Sequence, residues 1–253
     1  MRILLTNDDG INAPGFAALE RIAAKLSDDI WVSAPAEEQS GAGHSLSLSN
    51  PIRVRKLGER RFAVAGTPTD SVMMALGNLM GDVRPDLILS GVNRGPKLAE
   101  DVTYSGTVSA AMEGTLAGVR SIALSQVMAD YTHGRESFAA AEVSAPDIIR
   151  RILAAPCEPG VLINLNFPAV EKPLGARVTH QGFRDYGHIR VKERLDPRGF
   201  PYYWFGYGRE LSTPAHRTDL EAVREGYVSV TPLHLDLTHY ATMAGLEAVL
   251  EGA

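Results

Sequence analysis

A single cysteine, Cys157, among 253 residues excludes any disulfide within the chain. It sits between Ala155-Pro156 and Glu158-Pro159, which read as a turn, and no histidine pattern accompanies it. An inert surface or half-buried thiol is expected, and the cysteine usage fits a reducing compartment. No apolar run approaches the roughly 20 residues that span a bilayer. Met1 runs straight into a strand-like stretch, so no signal peptide is visible. These absences predict a cytoplasmic protein with no membrane partner. Positive charge is not in excess either: 25 Lys and Arg against 30 Asp and Glu give a net charge of -5. That balance leaves no footprint for a nucleic-acid polymer, although a metal ion and backbone N–H groups can still reverse the local sign for a small anion. The chain has no G-x-x-x-x-G-K-[ST] loop and no G-x-G-x-x-G after its first strand, which disfavours a P-loop NTPase and a dinucleotide-binding domain.

What is present suits a soluble globular protein, with 45% hydrophobic residues. The length allows one large α/β domain. Residues 2–6, 30–33, 86–90, 121–124 and 161–166 read as buried strands, and 52–57 with 61–65 as a strand pair around Gly58-Glu59. Helices are expected from Pro14 through Leu26, from Thr67 to about Met80, over 105–117 and over 135–154. The last is given an apolar side of Phe138, Val143, Ile148, Ile149 and Ile152. Alternation of strand and helix predicts a Rossmann-like three-layer core with a mostly parallel sheet. After Pro168 the character changes. Residues 175–235 read as extended pieces without a strong core helix, with Pro197-Arg198-Gly199 as a hairpin tip and a closing helix over 238–250. The whole, 1–253, reads as a single domain whose 175–235 region is a hairpin suited to subunit contact.

The chemistry collects in loops that follow strands, where open α/β sheets bind ligands. Thr6-Asn7-Asp8-Asp9-Gly10 puts two carboxylates at the end of the first strand. Two adjacent anions repel unless a cation or proton lies between them, and carboxylate oxygens favour a hard divalent cation; a solvated turn is the plain alternative. The polar loop 35–49 offers the Ser40 hydroxyl beside glycines, although such loops are commonly mere connections. Asn93, in Ser90-Gly91-Val92-Asn93-Arg94, offers an amide oxygen; Arg94 is expected to face solvent. Ser105-Gly106-Thr107 opens a helix whose free N–H groups suit a phosphate, unless Ser105 simply caps it. Asp70 reads as a helix-start residue. The seven histidines, His44 and His234 among them, are scattered and form no catalytic pattern. Oxygen donors beside a phosphate cradle point to phosphoryl chemistry.

The same residues carry a resemblance. Leu4-Leu5-Thr6-Asn7-Asp8-Asp9-Gly10, Ala34-Pro35, Gln39-Ser40-Gly41, Gly66-Thr67-Pro68, Ser90-Gly91-Val92-Asn93, the stretch 101–114, Thr218-Asp219 and 226–233 are similar to the survival protein SurE family of 5′/3′-nucleotidases, nearly end to end. The resemblance implies one divalent metal per subunit, Mg²⁺ or Mn²⁺, bound by Asp8, Asp9, Ser40 and Asn93. It implies release of phosphate from nucleoside 5′- and 3′-monophosphates, in some members from short polyphosphate, and a homodimer or homotetramer. Asp8 and Asp9 are then the catalytic carboxylates, and Ser105, Gly106 and Thr107 the phosphate contacts. Many members carry Asn and Gly where this chain has Lys97 and Ala99, and that Asn lies near the bound phosphate. Two other readings use the same residues: Asp8 as a covalent nucleophile, and a nucleotide sensor without catalysis.

Overall fold

The computed structural model describes residues 1–132, 134–184, 189–207 and 215–251. Strand β1 (Arg2–Thr6) is followed by helix α1 (Pro14–Ala24), β2 (Asp29–Pro35) and the antiparallel pair β3 (Arg53–Gly58) and β4 (Arg61–Ala65). Helix α2 (Pro68–Met74) continues through a π-helical turn at Ala75–Leu79, ending where the sequence predicts. Its start is a capping box: Thr67 Oγ1 accepts from the Asp70 N–H while the Asp70 carboxylate accepts from the Thr67 N–H. Then come β5 (Leu87–Arg94), α3 (Gly106–Leu116), β6 (Arg120–Gln126), α4 (Ala139–Ala154) and β7 (Val161–Phe167).

The main sheet has nine strands in the order β3-β4-β2-β1-β5-β6-β7-β11-β8, with β8 at Ala176–Val178 and β11 at Val228–His234. From β4 to β7 every neighbouring pair is parallel. A parallel sheet is covered on both faces, which explains the unbroken run Leu87-Ile88-Leu89. Leu87 and Leu89 join Ile3 and Leu5 against α1 and α4 on one face; Ile88 and Leu4 turn to the opposite face, against Val72 of α2 and Ala110 of α3. The strand order runs outward from β1 to β2 on one side and from β5 to β7 on the other. This reversal opens a crevice beyond the carboxyl ends of β1 and β5.

Two expectations need correction. Val143 is 58% exposed and lies off the apolar side of α4, whose buried face is carried by Ala140, Ala141, Ala145, Ile148 and Ile149. The region 175–235 is not only extended: it contains helix α5 (Asp219–Arg224), capped by Thr218, and β11, which returns to the main sheet antiparallel to β7. The hairpin itself is present. Strands β9 (Ile189–Leu195) and β10 (Pro201–Tyr207) form a separate two-stranded sheet about the Pro197-Arg198-Gly199 tip. Helix α6 (Tyr240–Leu250) closes the described chain.

Candidate active site

Asp8 and Asp9 stand directly after β1, and Asn93 near the end of β5, so they flank the crevice. A bulge helps to aim Asn93. Between Ser90 and Asn93, β5 spends three steps where β6 spends two, from Ala123 to Ser125. Asn93 Nδ2 donates to the Gly95 carbonyl at 2.6 Å, which fixes Oδ1 as the other end of the amide. The loop carrying Ser40 is tied to β1 by the Gln39 N–H, which donates to the Asp8 carbonyl at 2.8 Å. The loop after β5 is tied to Asp9 by the Arg94 N–H, which donates to Asp9 Oδ2 at 3.0 Å. These bonds tie the Ser40 loop to Asp8 and the Asn93 loop to Asp9, while the Ser40 hydroxyl itself donates to Glu38 Oε1 at 2.7 Å. Two carboxylates, a hydroxyl and an amide make an all-oxygen set suited to Mg²⁺ or Mn²⁺.

The third loop closes over Asp8. Thr107 Oγ1 donates to Asp8 Oδ1 at 2.5 Å. A Cβ at position 106 would fall 2.8 Å from Asp8 Cβ and 2.9 Å from Pro68 Cγ, so only glycine lets α3 start this close. Ser105 Oγ accepts from the Val108 N–H at 3.0 Å as an ordinary cap. Both hydroxyls are thus engaged within the protein, and the Thr107 N–H also favours the ionised Asp8 carboxyl, so the start of α3 already serves one anion.

Burial is the largest influence on the Asp8 carboxyl and pushes it up; the positive charge of Lys97 and the Thr107 hydrogen bond act against it. Asp9 is pushed up to about 6, first by burial and then by the charge of Asp8, with the Arg94 N–H and Lys97 opposing. Lys97 is therefore close enough to bear on both carboxylates. Its backbone is held firmly: Lys97 N–H donates to Asn166 Oδ1 at 2.7 Å, and its carbonyl accepts from Asn164 Nδ2 at 2.8 Å and Asn166 Nδ2 at 3.1 Å. Two residues on, Ala99 has φ +51, a conformation costing a non-glycine residue roughly 1 kcal/mol. Its N–H donates to Asp219 Oδ2 at 2.9 Å, and its carbonyl accepts from Gln181 Nε2 at 2.9 Å.

Asp9, Glu38 and Ser40 line a cavity of about 460 Å³ that continues past Arg94 to Tyr131, Glu136 and Phe138. Arg94 is not simply solvated. Its Nη2 donates to the Tyr131 carbonyl, and its Nε lies 3.4 Å from Glu136 Oε1. The histidines named above pair elsewhere: His44 Nε2 lies 3.2 Å from Glu113 Oε2, and His234 Nδ1 accepts from the Asp236 N–H. Cys157 is exposed. Sequence reasoning missed Asn164, Asn166, Gln181, Asp219 and Tyr131 as parts of the site's surroundings. Two asparagines inside a buried strand were the available signal for the first pair, because buried amides demand partners.

The family model described as survival protein SurE matches residues 3–188. The chain belongs to the SurE family. A 5′-nucleotidase SurE of Rhizorhabdus wittichii is 61% identical over 252 residues, covering 98% of this chain and 99% of that protein. Another, of Erythrobacter litoralis, is 59% identical over 96% of this chain and 97% of its own length. The crystal structure of a SurE protein from Aquifex aeolicus superposes with a TM-score of 0.83 at 40% identity, covering 98% of this chain and 99% of that one. No helix among the described residues is long and apolar enough to cross a membrane.

The raised Asp9 carboxyl has a consequence for the metal-free SurE chain. A group raised in the folded protein binds its proton more tightly there than in the unfolded chain. Its stabilisation is complete below the unfolded value of 3.8 and is lost as pH rises through about 6. In chelator-treated protein, Asp9→Asn should leave the melting temperature near that of the parent at pH 4 and raise it by a few degrees at pH 7.5, on the order of 1–3 kcal/mol. The same difference at both pH values, read by thermal melts, would contradict this account.

Proposed function

We propose that this chain is a nucleotidase, a divalent-metal-dependent phosphatase that releases phosphate from nucleoside 5′- and 3′-monophosphates. The observation that carries the reading is the Asp8–Asp9 pair at the sheet's crevice, with Asp8 buried against Thr107 at the start of α3 and Asp9 half-buried beside the cavity. The named relatives support the substrate class. Asp8, Asp9, Ser40 and Asn93 would hold one Mg²⁺ or Mn²⁺, which when bound supplies Lewis acidity at a phosphate oxygen. The remaining work falls to the chain. The Gly106 N–H and the positive end of α3 steady charge on the equatorial phosphate oxygens, while the Thr107 N–H stays with Asp8. The Thr107 hydroxyl fixes one Asp8 oxygen in place. Asp9, which lines the cavity, orients the attacking water. Asp8 is 1% exposed and already engaged by Thr107, which favours direct attack by water over a covalent phosphoaspartate. Lys97 adds a positive charge facing the same carboxylates and counters their repulsion before metal enters.

The assembly is proposed to be a homodimer or homotetramer through the β9–β10 hairpin. An isolated hairpin is marginal in water, yet this one exposes apolar groups on both faces. Val191 is 58% exposed, Trp204 63% and Phe205 84%. Surfaces of that kind mark contacts.

Phosphate release from a panel of nucleoside monophosphates tests the activity. Chelator-stripped protein should be inactive and recover with Mn²⁺ or Mg²⁺, and Asp8→Asn or Asp9→Asn should lose about 10³-fold or more with an unchanged circular dichroism spectrum. Full activity in either variant would sink the assignment. Light scattering tests the assembly. The parent should run as two or four chains of 27.3 kDa, and Trp204→Ser with Phe205→Ser should run as one; a monomeric parent would overturn the hairpin's role.

A further inference from the structure

The cavity beside Asp9 is more than access to the carboxylates. Its volume of about 460 Å³ falls within the range of small-ligand pockets. Its lining joins Asp9 and Ser40, where the proposed phosphate chemistry occurs, to Tyr131 and Phe138, and includes no residue of α3. Tyr131 presents a ring that is 54% exposed, and its hydroxyl lies against Gly95, where an added Cβ would stand 3.5 Å from that oxygen. The Arg94 side chain grips the Tyr131 carbonyl and so fixes this residue to the end of β5. A flat aromatic face held at the rim of a catalytic cleft is a stacking surface for a planar heterocycle.

The charges of the cavity are as informative as its shape. Besides Asp9 it carries the carboxylates of Glu38 and Glu136. Its cation among the described lining residues is Arg94, whose guanidinium already meets Glu136 and the Tyr131 carbonyl. Glu136 is itself only 5% exposed and accepts from the Gly134 N–H at 2.8 Å. Such a lining accepts hydrogen bonds from hydroxyl and amino groups and repels further phosphates.

We propose that this cavity is the leaving-group subsite, that it takes the nucleoside of a nucleoside monophosphate with the base on Tyr131 and the sugar hydroxyls toward Glu38, and that it discriminates against anionic chains such as polyphosphate. The inference rests on the nucleotidase reading and adds to it the residues that select the leaving group. Tyr131 and Glu38 are binding residues here; Glu38, whose Oε1 accepts from the Ser40 hydroxyl at 2.7 Å, stands where the subsite meets the phosphate end, and Tyr131 stands at the far rim.

Binding of adenosine, which has no phosphate, isolates the subsite from catalysis. Saturation-transfer NMR on the parent should detect adenosine contact, and Tyr131→Ala should weaken it at least fivefold. In steady-state assays Tyr131→Ala should raise KM for adenosine 5′-monophosphate at least fivefold more than KM for β-glycerophosphate, and the parent's kcat/KM for tripolyphosphate should lie at least tenfold below that for adenosine 5′-monophosphate. Adenosine binding that is absent, or that Tyr131→Ala leaves unchanged, overturns the subsite whether or not the protein is active. Equal KM effects on both esters, or tripolyphosphate cleaved as efficiently as the nucleotide, do the same. A protein that binds adenosine through Tyr131 but releases phosphate from no ester would instead overturn the nucleotidase reading and leave the subsite standing.

Discussion

Two neighbouring carboxylates at the buried end of a central strand are the constraint around which this site is built. Asp8 and Asp9 cannot separate, because they are consecutive, and the crevice denies them full solvation. Each neighbouring loop answers that repulsion. The Thr107 hydroxyl comes from the start of α3, the Arg94 N–H from the end of β5, and the charge of Lys97 from the loop beyond it. Gly106 is there because no side chain fits between α3 and Asp8. A divalent cation, as proposed, would complete the same compensation with a larger charge, which makes the fold at this point and the proposed chemistry one problem.

The loop bearing Lys97 extends the constraint across the molecule. Asn164 and Asn166 of β7 grip its backbone, while Gln181 and Asp219 grip Ala99 two residues later. Asp219 also accepts the Gly182 and Leu220 N–H groups, at 2.9 Å and 2.8 Å. The region after β7 is therefore not an appendage: it braces an active-site loop. A non-glycine residue can hold φ +51 at position 99 because both its backbone groups are satisfied there.

Much of the core was legible in the chain itself. Apolar runs such as 86–90, bounded by turns, specify buried parallel strands, and the helices announce themselves through Pro14, Thr67 and Ser105 at their starts. The donor loops were legible because each follows a strand and so must open on one edge of the sheet. The expectation that they form a metal set came from the family resemblance, since Ser40 and Asn93 are ordinary turn residues by composition. Val143 was misplaced because one apolar residue at nearly the right spacing does not reveal on which side of a helical stripe it falls. The return of β11 beside β7 and the bulge before Asn93 depend on contacts distant in sequence, which periodicity does not encode. Tyr131 escaped notice because it lies in a loop with no pattern of its own.

The central claim is that four oxygen side chains, and not the two carboxylates alone, form one divalent site. Titration of Mn²⁺ into chelator-stripped protein, followed by calorimetry and by the manganese resonance signal, tests it most directly. One ion should bind per chain, and Asn93→Ala or Ser40→Ala should each weaken binding about 10- to 100-fold, with Asp9→Asn abolishing it. Binding at unchanged affinity in both the Asn93 and the Ser40 variants would contradict the account.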